Sequence, residues 1–174
     1  MRINQISFQN THSTDKWMSI GDQVMGGTSH GRMRFDEQGF AVFEGNVSLE
    51  NGGGFASVRH ADVPLGTATT TGYRLRVRGD GKQYKLNLGV DRAFDSAQYQ
   101  ASFNAGAAGQ GRNSVELLWV DIELPLSCFE PRFRGRVVPG QASLDPERVC
   151  HVGLMVADRQ AGPFRLEIQE IVCI

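Results

Sequence analysis

Apolar residues recur at every second position over most of this chain, and that period constrains its fold more than any other feature. Tyr73, Leu75 and Val77 alternate with Arg74, Arg76 and Arg78; Tyr84, Leu86, Leu88 and Val90 then alternate with Lys85, Asn87 and Gly89. Successive side chains of an extended strand point to opposite faces, so each run has a core face and a wet face. Further alternating runs at 41–49, 99–103, 120–124, 152–156 and 164–168 are separated by clusters of Gly, Pro, Asn and Asp. Gly79-Asp80-Gly81, between the first two runs, predicts a hairpin. Helical signals are confined to a short turn at 144–149, with Pro146 near its start, and another beginning at 15–17. Many one-sided strands joined by turns predict an all-β chain, a two-sheet antiparallel β-sandwich of jelly-roll type with edges protected by charge and proline.

A chain of 174 residues suits one domain that buries roughly 70% of its unfolded surface. No repeat or composition shift divides it, so 1–174 reads as a single domain, and the polar stretch 104–113, NAGAAGQGRN, reads as a flexible loop. Lys and Arg total 18 against 19 Asp and Glu, a net charge of -1. Such a balance supplies no field for nucleic acid or an anionic membrane, and neither is expected as a partner. The N-terminus lacks the apolar core of a secretory signal, and no apolar run reaches the length of about 18 residues that spans a bilayer. A cytoplasmic protein without membrane insertion is the expectation. Cys128, Cys150 and Cys173 are odd in number and widely spaced, which fits neither a disulfide framework nor a zinc knuckle; reduced, buried thiols are expected.

Glycine loops stand out next. The stretch 51–59, NGGGFASVR, runs three glycines into a strand, 22–31 reads DQVMGGTSHG, and two more loops lie at 79–82 and 158–162. Glycine permits positive φ and close backbone approach, and loops of this kind often carry the binding surface of a β scaffold. Asp22, Asp80, Asp158 and Gln160 are therefore candidate contact residues, although acidic turn residues also commonly bond nearby amides. Gly27-Thr28-Ser29-His30-Gly31 matches the G-x-S-x-G elbow of serine hydrolases without the preceding buried strand or the following helix that the elbow needs. The four histidines lack metal-binding spacing, and no metal site or cofactor is expected.

Arg59, Arg78 and Arg134 either lock loops to strands by pairing with carboxylates such as Glu44, Asp80 or Asp158, or present a recognition face. Trp119, Tyr84 and Tyr99, beside Arg78 and Gln100, offer a possible sugar-stacking constellation, with inter-sheet packing as the alternative.

Several segments together resemble the complex I intermediate-associated protein family. They are Trp17 with DQVMGGTSHG at 22–31, FEGNVSLENGGGFASVR at 43–59, RVRGDGKQYKL at 76–86, YQASF at 99–103, Trp119 with Leu124-Pro125, FEPRFRGR at 129–136 and GLMVADRQAGPFRLEI at 153–168. The resemblance implies a galactose-binding-like jelly roll. It also implies a non-catalytic assembly factor or chaperone for respiratory complex I, whose partners are subunits or assembly intermediates of that complex. Two other readings stand beside it. One is a carbohydrate-binding module for a small sugar, with the structural calcium that galactose-binding-like domains often carry, though no EF-hand-like spacing is present. The other is an enzyme using an acid–base pair among Asp22, Asp80 and Asp158.

Overall fold

The computed structural model describes residues 1–93, 95–106 and 118–174. Its strands are β1 (Gln5–Ser7), β2 (Trp17–Gly21), β3 (His30–Asp36), β4 (Phe40–Val47), β5 (Ala56–Ala61), β6 (Gly72–Gly79), β7 (Gln83–Gly89), β8 (Gln98–Asn104), β9 (Val120–Pro125), β10 (Glu130–Phe133), β11 (Arg136–Val137), β12 (His151–Val156) and β13 (Gly162–Cys173). They form two antiparallel sheets. One runs β3-β4-β13-β6-β9, with β1 also on β13; the other runs β11-β10-β8-β7-β12-β5-β2.

The period-two runs place the core where their phase predicts. Tyr73, Leu75 and Val77 of β6 and Leu166 and Ile168 of β13 face Tyr84, Leu86 and Leu88 of β7 and Leu154 of β12, all in one buried cluster. Each fully buried side chain of this size contributes about 1.5–3 kcal/mol of hydrophobic stabilisation. Phe103 and Phe164 also lie in this core, and Trp17 packs against Phe8 at 6.0 Å and His60 at 5.6 Å between ring centroids.

The hairpin expected at Gly79-Asp80-Gly81 does not form. β6 and β7 belong to opposite sheets, so the intervening residues carry the chain across the end of the sandwich. Alternation fixes which face of a strand is buried, and both strands obey it; it does not fix which sheet the strand joins. The 3-10 turn at Pro146–Arg148 forms as expected, with the Asp145 carboxylate accepting the Glu147 amide at 3.0 Å. The helical signal at 15–17 is displaced: a 3-10 turn occupies Thr11–Thr14 and Trp17 opens β2.

All three cysteines are free, but none is fully buried, since Cys128 is exposed and Cys150 and Cys173 are half-buried. Of the expected loop at 104–113, residues 107–113 lie outside the described residues. Among the described residues, no helix is long and apolar enough to cross a membrane.

Candidate binding surface

Strand register gathers the four glycine loops at one end of the sandwich. Ala56 lies opposite both Gly21 and Val156, while Gly162 lies opposite Val47 and His30 opposite Asn46.

Asp22 joins two of these loops from inside. It is fully buried, and its carboxylate accepts the Ser29 amide at 3.0 Å and the Gly54 amide at 2.8 Å. A Cβ on Gly27 would lie 2.3 Å from this carboxyl group and one on Gly53 2.4 Å from Oδ2, so both glycines are needed for the carboxylate to pack flush on the backbone. Burial pushes its pKa up, but the hydrogen bonds from Ser29 and Gly54 outweigh this and hold it below the ordinary value. The expectation of Asp22 as a contact residue is corrected: both oxygens are used and out of solvent. Ser29 is equally committed, its Oγ donating to Ser48 O at 3.0 Å and accepting the Ser48 amide at 2.9 Å.

At the same end, the exposed Asp80 accepts the Lys82 amide at 3.0 Å, the Tyr84 hydroxyl at 2.9 Å and the Arg165 amide at 2.9 Å. Asp158, with φ of 60°, pairs with Lys85 at 3.1 Å. The Gln160 amide completes the end of β7, accepting the Gln83 N–H at 2.9 Å and donating to the Gln83 carbonyl at 2.7 Å. Tyr84 is fully buried in the core, where desolvation raises its pKa, so it is not a surface contact residue. Tyr99 is buried too and donates to Ala142 O at 2.7 Å.

The sugar-stacking constellation is thus not assembled. Trp119 sits on the outer face of the other sheet, with the Arg78 guanidinium 4.6 Å from its ring centroid and Phe40 at 5.4 Å. Arg78 also pairs with the buried Glu167, which binds Arg165 at 2.7 Å; Arg165 in turn reaches Glu44. Arg134, at the β10–β11 turn, pairs with Asp95 at 2.8 Å. The arginines therefore lace the sheets to carboxylates, and Asp158 takes a lysine instead.

Arg59 occupies the outer face of the seven-stranded sheet, and this face holds residues that sequence reasoning missed. Ser57, Asn87, Gln98 and His151 lie in its outward phase, yet each is only 6–7% exposed. Asn87 Oδ1 has no hydrogen-bond partner among the described residues, and the His151 ring has only the Asp91 backbone beside it, outside good hydrogen-bond geometry. The signal was present as a repeated polar-x-glycine pattern, Asn87-Leu88-Gly89 and His151-Val152-Gly153. Antiparallel pairing sets His151 opposite Gly89 and Asn87 opposite Gly153. Burial and the nearby Arg59 charge push the His151 pKa down against the Asp91 backbone beside its ring, which raises it, and burial lowers that of Arg59. Among the described residues, no group of three or more His, Cys, Asp or Glu side chains is placed to hold a metal ion.

Solved structures share this architecture. A family 11 carbohydrate-binding module from Clostridium thermocellum, in complex with a β-1,3-1,4-mixed-linked tetrasaccharide, aligns over 99% of this chain and 98% of its own at TM-score 0.64 and 14% identity. The same family's module from the cellulase Lic26A-Cel5E aligns at TM-score 0.65 and 13% identity. At such identity the likeness shows the jelly-roll fold alone.

Curated relatives are closer in sequence. Complex I intermediate-associated protein 30, mitochondrial, of Drosophila melanogaster is 27% identical over 90% of this chain and 57% of its own length, and that of Mus musculus is 26% identical over 94% and 53%. This chain spans about half the length of these relatives. Their names overturn the expectation of a cytoplasmic protein, because they are mitochondrial. A family model covers residues 6–168, nearly everything that builds the two sheets, and with it the chain belongs to the complex I intermediate-associated protein 30 (CIA30) family.

Proposed function

We propose that this chain is a non-catalytic binding domain that supports the assembly of respiratory complex I through contacts with its subunits or assembly intermediates. The observation that carries this reading is the family match over residues 6–168, together with relatives named for association with complex I intermediates. Support for a non-catalytic role comes from the acids themselves. Asp22 is buried on two amides, Asp80 holds three donors and Asp158 pairs with Lys85. None is poised as the base of an acid–base pair.

The contact patch we favour runs from Leu118, 76% exposed, across Trp119 to Arg78 on the six-stranded sheet. Tryptophan and arginine beside an exposed apolar residue are the composition of interface hot spots. Asp80, Asp158 and Gln160, at the loop end that β6 reaches just beyond Arg78, would add polar contacts at the rim, whereas Arg59 and Arg134 belong to the opposite sheet and lie outside this patch.

The test is affinity capture of the tagged chain from extracts of the cells that encode it, with Leu118→Glu as the surface variant. Leu118 is 76% exposed, so the variant should keep the wild-type Tm. Recovery of complex I subunits by wild type, reduced at least about tenfold by the variant, a loss of about 1.4 kcal/mol, is the expected result. Absence of those subunits from the wild-type capture overturns the reading.

A further inference from the structure

The outer edges of a β-sandwich each leave a row of backbone amides and carbonyls that must be covered, shortened or used. On one side of this molecule β2 and β3 close the seam together. They lie in contact, the Thr11–Thr14 turn packs on β3, and Ser19 Oγ donates to Gly31 O at 2.6 Å. On the other side β11 is only two residues long. That leaves β9, six residues from Val120 to Pro125, which among the described residues pairs with β6 alone.

Register shows which backbone groups of β9 are already used. Val120, Ile122 and Leu124 stand opposite Val77, Leu75 and Tyr73, and two residues on the Leu126 amide donates to Thr71 O at 3.0 Å. Antiparallel pairs alternate between hydrogen-bonded and non-hydrogen-bonded, so the residues in phase with Leu126 turn their amides and carbonyls toward β6. Asp121 and Glu123, in the other phase, point theirs out of the open edge. Pro125, which has no N–H, ends the row.

The side chains of this edge define what can pair with it. Asp121 and Glu123 are exposed, whereas Val120 and Ile122 are half-buried against the core and Leu124 is 5% exposed. Asp121 pairs with Arg76 at 3.2 Å, but Arg74, opposite Glu123, turns to Glu170. The Glu123 carboxylate has no hydrogen bond or ion pair among the described residues. Two β9 edges brought together would set acid against acid, so the strand is protected from a second copy of this chain. A strand with basic residues opposite Asp121 and Glu123, and an apolar residue between them, meets both the charge and the burial. On the paired side β6 has that composition, Arg74-Leu75-Arg76.

We infer that the open edge of β9 takes up an extended segment of a protein partner in which basic and apolar residues alternate, adding a strand to the six-stranded sheet. The apolar residue of that segment extends the cover over Val120 and Ile122. The inference rests on the assembly reading for the partner's being a complex I subunit or intermediate, and it gives that partner a chemistry. Trp119, next to Val120, joins this edge to the patch with Arg78.

Amide hydrogen exchange of the purified chain is followed with a blocked seven-residue peptide alternating lysine and valine, and with the same peptide carrying glutamate for lysine. In the free chain the Asp121 and Glu123 amides should exchange at least about tenfold faster than those of Ile122 and Leu124. Saturating lysine peptide should slow both outward amides at least about tenfold, and the glutamate peptide should not. Glu123→Lys should reverse this choice of peptide. Glu123→Pro removes an outward N–H and no bond to β6, so it should keep the fold and lose the protection at Asp121. In capture from cell extract, Glu123→Pro should recover at least about tenfold fewer complex I subunits than wild type. Full recovery by folded Glu123→Pro overturns the inference and leaves the assembly reading standing; absence of the subunits from the wild-type capture overturns that reading, while strand addition is still read from the peptide on the purified chain. The inference also falls if the outward amides are already protected in the free chain, or if their protection rises with protein concentration alone, which marks a second copy. It falls equally if the lysine peptide protects them no better than the glutamate peptide.

Discussion

Tyr84 reaches from the core of one sheet to donate its hydroxyl to Asp80 at 2.9 Å, and the same carboxylate oxygen accepts the Arg165 amide of the other sheet, also at 2.9 Å. Asp80 therefore ties the two layers at the point where the chain crosses between them. The short segment after Gly79 has the composition of a hairpin and the work of a strut.

Truncating this strut should cost more than removing its single phenolic donor. Asp80→Ala orphans the Tyr84 hydroxyl, the Arg165 amide and the Lys82 amide, whereas Tyr84→Phe leaves the carboxylate its two backbone donors. Urea denaturation should show a loss of about 2–3 kcal/mol for the first and about 1 kcal/mol for the second. Equal losses would mean that Asp80 contributes only the tyrosine hydrogen bond.

Much of this fold was legible because burial follows period two: Tyr73, Leu75, Tyr84, Leu86, Phe103 and Phe164 all lie inside as their phase requires. Sheet membership was not legible. Whether β6 turns back beside β7 or crosses to the opposing layer depends on non-local partners, β13 and β9 for one and β8 and β12 for the other. The candidate surface fared unevenly for the same reason. Asp22 carries the signature of a loop acid, and only the approach of Gly54 from 32 residues away shows that it is sealed inside. Asn87 and His151 looked like ordinary outward residues until pairing set each against the other's glycine.

The contact between Asp22 and the glycine loops can be isolated by a double-mutant cycle. Gly53 has φ of -64°, a value any residue adopts, so the strain in Gly53→Ala comes from the new Cβ meeting Asp22 Oδ2 at 2.4 Å and Ser48 O at 3.0 Å. In an Asp22→Ala background the first of these contacts disappears. The cost of Gly53→Ala should fall there by at least about 0.5 kcal/mol, measured by chemical denaturation of all four proteins. Strict additivity would show that the glycine is required for another reason.

Acid should act on the fold in two separate windows. The folded His151 pKa lies below its ordinary value of 6.5 through burial and the Arg59 charge, with Asp62 and Arg92 also near. Its contribution is therefore fully present above pH 6.5 and is lost as pH falls toward the folded pKa, because the unfolded chain binds the proton first. His60, depressed mainly by burial, follows the same sign, so His151→Leu should flatten the stability profile just below pH 6.5 without abolishing the slope. Asp22 acts lower: its contribution is present above 3.8 and is lost as pH falls through its depressed folded value. Denaturant midpoints across pH 3 to 8 test both, and an unchanged slope in His151→Leu would place the titration elsewhere.

The buried ion-pair network and the exposed surface pairs should respond differently to losing their carboxylates. Glu167 has an 8% exposed side chain and holds both Arg78 and Arg165, whereas Glu130 is 49% exposed and holds Arg132 at 2.8 Å. Glu167→Ala strands Arg78 over Trp119 and Phe40 with its charge uncompensated, and a loss of about 3 kcal/mol is expected from breaking a pair that has already been desolvated. Glu130→Ala should lose less than about 1 kcal/mol, because water and salt screen that pair. Raising ionic strength should narrow the deficit of the Glu130 variant and leave that of the Glu167 variant nearly unchanged. If the two deficits are equal, the Arg78–Glu167 pair is no more shielded than a surface bridge, and the Trp119 ring does not seal it.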